Sequence, residues 1–154
     1  SQHRRGVYMH WQRQFLHPML RAFDAPTREE CTAQRPVSNT PLAALTLMND
    51  PTFVEAAKGF AIRILTEGGT TRDERLTWAW QAALGRAPMP DELKVANEYV
   101  QQALDRYASD AKAAGELLDV GLTGIPSNLS PTETAGWATV ALAFLNLSEA
   151  ITRN

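Results

Sequence analysis

The sequence predicts an all-α fold, an irregular multi-helix bundle with a central apolar C-terminal helix. Three observations predict it. Helix-start signals recur, with proline directly after a capping residue at Thr40-Pro41, Asp50-Pro51 and Ser130-Pro131. Between such marks, apolar residues recur at steps of three and four. No run of strand signals provides a partner for an isolated strand.

The elements follow in chain order. Val7, Tyr8, Trp11 and Phe15 suit a helix, although alternation over Val7 to Trp11 leaves a strand open. Thr27 with Glu30 fits a capping box, in which hydroxyl and carboxylate each satisfy an orphan backbone donor. Thr40 and Pro41 read as N-cap and first residue of a helix over 41–48. Asn49 is expected to close it in a left-handed conformation, leaving Asp50 to cap the next helix, 51–66. That helix carries a stripe of Phe53, Ala57, Phe60 and Ile64, flanked by Val54, Ala61 and Leu65, and stops at Gly68-Gly69.

Thr71 with Glu74 forms a second box before a helix carrying Leu76, Trp80 and Ala83, which Gly85 ends. Pro90-Asp91-Glu92 opens another, with acids in the positive first turn. Steps of mainly three and four from Leu93 through Val100 and Tyr107 to Leu118 predict one long helix, frayed near Ser109. Residues 120–130 read as a loop. Ser130 with Glu133 fits a third box, and Trp137, Val140, Ala141, Leu142, Phe144 and Leu145 cover nearly every face of helix 131–145. A helix apolar all round belongs at the centre of a bundle.

A chain of 154 residues suits one domain, 1–154, able to bury roughly 70% of its unfolded surface. Within it we distinguish a basic aromatic docking segment, 1–36, from a helical core, 37–154. Cys31 is the only cysteine, which excludes an intramolecular disulfide and a multi-cysteine zinc site. The run Ala135–Leu147 is shorter than the roughly 20 residues of a membrane span. The chain opens with Ser1-Gln2-His3-Arg4-Arg5 and no apolar signal region, so an export signal is expected upstream of it. Residues 1–36 carry six Arg against Asp24, Glu29 and Glu30, a net +3, whereas the remainder carries nine basic and fourteen acidic residues, a net −5. Nucleic-acid binding would need a stronger basic excess and a recognisable motif, and none is expected.

His3, His10, His17 and Cys31 are the candidate metal ligands, but a surface or packing role is favoured over a metal site, so neither a metal nor another cofactor is expected. No Ser-His-acid set, phosphate loop or His-Glu-x-x-His pattern occurs. Of Trp78 and Trp80, only one can face the core squarely, which leaves Trp78 partly exposed and carbohydrate stacking open as a partner class. The strongest polar constellation is Asp24, Arg28, Arg35, Asn39, Asn49 and Asp50, within 27 positions of short-helix chain. Helix capping and a buried polar network account for most of it, and contact with a ligand or neighbouring domain is the sharper alternative.

The combination Arg4-Arg5, Tyr8, Trp11, Phe23-Asp24-Ala25-Pro26, Arg28, Cys31, Arg35, Asn39-Thr40-Pro41-Leu42, Ala44-Leu45 and Met48-Asn49-Asp50-Pro51 resembles the planctomycete C-terminal domain of unknown function, family 1553, or PSD-one domain. Ala83-Leu84-Gly85-Arg86 with Pro88, and Leu145 through Glu149 with Thr152-Arg153-Asn154, extend the resemblance over nearly the whole chain. Ser148, where Asp is common, and the Gly-rich loop at 121–124 depart from it. The resemblance implies the C-terminal part of a larger exported protein, extracytoplasmic or at the cell surface, carrying a second domain of unknown function and often a cytochrome c-like or sugar-binding-like module. It supplies no catalytic residues. The haem-attachment Cys-x-x-Cys-His pattern is missing here, so any haem would belong to another module.

Two functions from different classes follow as expectations. The first is a noncatalytic interaction or structural module that docks on upstream domains of the same polypeptide or on another protein, with Arg4, Arg5, Tyr8 and Trp11 as its docking surface. The second completes an active site for polysaccharide or redox chemistry around Asp24 and Arg28.

Overall fold

A computed structural model describes residues 18–25 and 41–151, with the side chains of Pro18, Met19 and Leu42 excepted. Among these residues 76% are helical and no strand occurs. The helices are α1 (Pro18–Ala22), α2 (Pro41–Asn49), α3 (Pro51–Glu67), α4 (Arg72–Leu84), α5 (Pro90–Ser109), α6 (Ala111–Leu118), α7 (Pro131–Leu145) and α8 (Ser148–Ile151). The helix-or-strand alternative over Val7–Trp11 and the Thr27 box lie outside the described residues.

Local chemistry sets most boundaries. Asp50 caps α3 by accepting from Thr52 N at 2.8 Å, with Pro51 as first helical residue. At α4 the capping box closes both ways: Thr71 Oγ1 accepts from Glu74 N at 3.3 Å and Glu74 Oε2 from Thr71 N at 3.0 Å. Gly85 ends α4 in the left-handed region, φ 77°, where a side chain would be strained.

Three expectations need correction. Asn49 is helical, because Asp24 is the one described non-glycine residue with positive φ; Asn49 instead donates from Nδ2 to Leu45 O at 3.0 Å. The long helix over 93–118 is two helices, since Asp110 leaves the helical conformation (φ −131°, ψ 80°) and its carboxylate caps α6 through Ala113 N at 2.9 Å. An aspartate competes with the helical backbone in this way. The third capping box does not form: Ser130 Oγ pairs with Thr132 Oγ1, and Glu133 bridges to Arg75 at 2.8 Å.

As its apolar surround predicts, α7 is central. It packs against α3, α5 and α6 most extensively and touches α2, α4 and α8. Eight of its fifteen residues are buried, among them Trp137, Val140, Ala141 and Phe144. They meet Ala57, Ala61 and Ile64 of α3, Leu76 and Trp80 of α4, and Ala96, Val100 and Ala103 of α5. The alanines let the helix backbones approach closely. The α5–α7 contact is close at Gly136, where an added Cβ would stand 2.7 Å from Leu104 Cδ2. Trp80 and Phe144 meet edge to face at 4.9 Å between centroids, a favoured aromatic geometry.

Candidate functional site

The sequence-predicted polar set is only partly described. Arg28, Arg35 and Asn39, like Arg4, Arg5, Tyr8 and Trp11 and the histidines and Cys31, lie outside the described residues. Asp24 sits half-buried in the turn after α1 with φ 54°, beside Phe23, whose ring contacts Phe53 of α3 at 6.0 Å. Asn49 and Asp50 are neighbours at the α2–α3 junction, and both side chains bind backbone. None of these three lines either of the two cavities described below. Trp78 is half-buried as expected, against Phe60 at 6.0 Å, and the Arg63 guanidinium lies 5.1 Å from its ring. Arg63 in turn pairs with Glu67.

Two constellations emerge that periodicity did not reveal. The first is a charged anchor on the buried face of α3. Lys58, 1% exposed, donates from Nζ to Leu118 O at 2.9 Å and Val120 O at 2.7 Å. One turn earlier Glu55, 3% exposed, accepts at Oε1 from Leu122 N, Thr123 N and Thr123 Oγ1 within 2.9 Å. Together they hold residues 118–123 down on α3. This segment walls a cavity of about 350 Å³ with Gly115, Ile125 and Pro131.

The second is a groove of about 500 Å³ between the end of α4, the start of α5 and α8. Its apolar lining is Trp80, Val95, Ala96, Tyr99 and Leu147, and its charged residues are Arg86, Asp91, Glu92 and Glu149. Gly85 turns the chain out of α4, so that Arg86 reaches both other elements. Its Nη1 and Nη2 each donate to Glu92 at 2.7 Å, its Nε and Nη2 donate to Glu149 at 2.7 and 2.9 Å, and Nη1 also donates to Ala87 O at 3.2 Å. A guanidinium has five N–H donors, and all five are engaged. Hydrogen bonds from Arg86, then that from Met89 N, pull the Glu92 carboxyl down to about 2; Arg86 likewise lowers Glu149. The Trp80 indole N–H, which lines the groove, has no acceptor among the described residues.

What the groove offers is therefore apolar surface with a negative rim. Val95 and Tyr99 are 66% and 39% exposed, and Leu147 is 37% exposed. Its one cation is saturated, and its two bridged carboxylates are held ionised. Among the described residues no helix is long and apolar enough to cross a membrane, and no group of three His, Cys, Asp or Glu is placed to hold a metal.

No curated protein and no solved structure matches the chain. Residues 1–100, from the basic N-terminal stretch through the first half of α5, match the model of the PSD1 family, described as protein of unknown function (DUF1553). With well over half of its length matched, the chain belongs to the DUF1553 family.

Proposed function

We propose that this chain is a noncatalytic helical interaction module of an exported multidomain protein, acting outside the cytoplasm by docking on neighbouring domains of the same polypeptide or on another protein. The observation that carries this reading is the groove beside α5: its concave surface is apolar, and its arginine has every donor engaged within the protein. Apolar concavities rimmed by polar groups are typical of recognition surfaces. Asp50 caps α3, and the Asn49 side chain donates to Leu45 O within α2, so both serve the backbone.

The test is in-cell cross-linking of the chain in its source organism, followed by calorimetric titration of the purified chain with the cross-linked neighbour. Saturable association of defined stoichiometry supports the module. Turnover of a polysaccharide or a redox dye by the purified chain, lost in Asp24→Asn without a change in melting temperature, would overturn it in favour of an active site.

A further inference from the structure

We infer that the groove between α5 and α8 receives an amphipathic basic helix from a partner protein, its apolar side chains lying on Val95 and Tyr99 and a lysine or arginine facing Asp91. This assignment deepens the module reading and rests on it.

The geometry of α5 is the first support. Asp91, Val95 and Tyr99 follow one another at steps of four, so they form a single exposed stripe beside the buried stripe of Ala96, Val100 and Ala103. Two successive turns thus present large apolar side chains to solvent, with Leu147 facing them across the groove. A helical partner matches such a surface because its own anchors recur at three and four residues.

Charge selects the sign of the partner. One arginine stands against three carboxylates among the lining residues, leaving two net negative charges. Arg86 cannot recruit an anion without giving up a bond to Glu92 or Glu149, since its five donors are all committed. Asp91 is exposed at the first turn of α5 and belongs to no ion pair among the described residues. An acidic partner would meet repulsion with no compensating donor; a basic one finds a carboxylate beside an apolar face.

The experiment uses fluorescence anisotropy of the full 154-residue chain with three labelled peptides of about 18 residues: an amphipathic Leu/Lys helix, its Leu/Glu counterpart and a scrambled Leu/Lys control. The amphipathic Leu/Lys peptide is expected to bind at least about tenfold more tightly than either other peptide. Val95→Lys is expected to weaken it by at least about tenfold with an unchanged melting temperature, whereas Asp105→Lys, on α5 but outside the groove, leaves binding unaltered. The Trp80 indole proton should shift in the NMR spectrum on binding. Equal binding of the scrambled peptide, or equal weakening by Asp105→Lys, would show nonspecific attraction and overturn the assignment. Sedimentation showing a dimer that Val95→Lys dissolves would also overturn it, in favour of a second copy. The module reading fails separately: if the cross-linked neighbour binds wild type and Val95→Lys alike, the groove is wrong and the module stands, whereas no saturable neighbour binding removes the module itself.

Discussion

Gly121 lies directly against the Glu55 carboxylate: a Cβ at Gly121 would stand 2.4 Å from Glu55 Cδ, and the residue holds φ at +85°. Glycine is therefore required twice, by conformation and by space. The carboxylate it admits accepts two backbone donors and a hydroxyl from the next two residues, which settles the turn on α3.

Gly121→Ala should accordingly destabilise the protein by at least about 2 kcal/mol, combining left-handed strain with displacement of the buried carboxylate from its donors. Urea unfolding measures this directly. A loss below about 0.5 kcal/mol, the range of ordinary surface substitutions, would mean that the turn relaxes freely and that Glu55 does not fix it.

Lys58→Met keeps the length and most of the volume of the side chain but removes both hydrogen bonds to Leu118 O and Val120 O. Those carbonyls would lose their donor, at a cost of about 1–3 kcal/mol. Amide exchange should quicken locally in residues 118–124 before the α3–α7 core opens. Uniform quickening throughout the protein would show that Lys58 contributes only to global stability.

The helical architecture was legible because caps and stops act within a few residues: Asp50-Pro51, the Thr71 box and Gly85 all behave as their residue types dictate. The central place of α7 was legible for a related reason, since an apolar surround leaves a helix nowhere else to go. Glu55 and Lys58 were not, because an apolar periodicity reads charged residues between its stripes as solvated, and Lys58's acceptors are backbone carbonyls some 60 residues away. Backbone acceptors leave no trace in residue identity. Asp110 did carry a signal, being a capping residue within a periodic run, but the run's regularity masked it. Arg86 stood out only as part of a common Leu-Gly-Arg helix end, and nothing local announces its pairing with Glu149, 63 positions on. Residues 1–17 and 26–40, which hold most of the basic N-terminal segment and three of the six polar-set residues, lie outside the described residues.

The family match ends at residue 100, inside α5, whereas the helix that α3 and α5 pack against begins at Pro131. A fragment 1–100 would expose Ala57, Ala61, Ile64 and Val100 on surfaces that α7 normally covers. It should not fold cooperatively: circular dichroism should show reduced helicity with no sigmoidal melt, and the amide NMR spectrum should be collapsed. A dispersed spectrum with a sharp melt would show that the matched region is a folding unit by itself.

Acid should loosen the bridge that Arg86 makes between Glu92 of α5 and Glu149 of α8. Arg86 lowers both Glu92 and Glu149, so their unfolded forms bind protons more readily than their folded forms. The stabilisation is fully present above the ordinary value of 4.5 and is lost as pH falls toward the Glu92 value of about 2. The melting-temperature gap between wild type and Glu92→Gln should be constant from neutral pH down to about 5 and close progressively below it. A gap that persists unchanged at the acid end would indicate that the glutamine is misfitted sterically and that the ion pair is not responsible.

Asp50 belongs to two helices at once. Its N–H donates to Thr46 O at 2.9 Å, continuing α2, while its carbonyl accepts from Phe53 N and Val54 N and its carboxylate from Thr52 N, opening α3. A residue so placed acts as a hinge through its acceptor, and a neutral acceptor of the same shape should serve almost as well. Asp50→Ala should cost about 0.5–2 kcal/mol, whereas Asp50→Asn and Asp50→Ser should cost less, because either can still accept from the next turn. A carboxylate acting as a base would separate the same variants differently, since Asn cannot take up the proton. Thermal unfolding of the three variants ranks the hinge reading, and polysaccharide and redox assays on the same samples test the other. An Asp50→Asn protein with an unchanged melting curve and an abolished turnover would place Asp50 in an active site; an ordering of Ala below Ser and Asn in stability, with no turnover affected, is the result that a capping hinge requires.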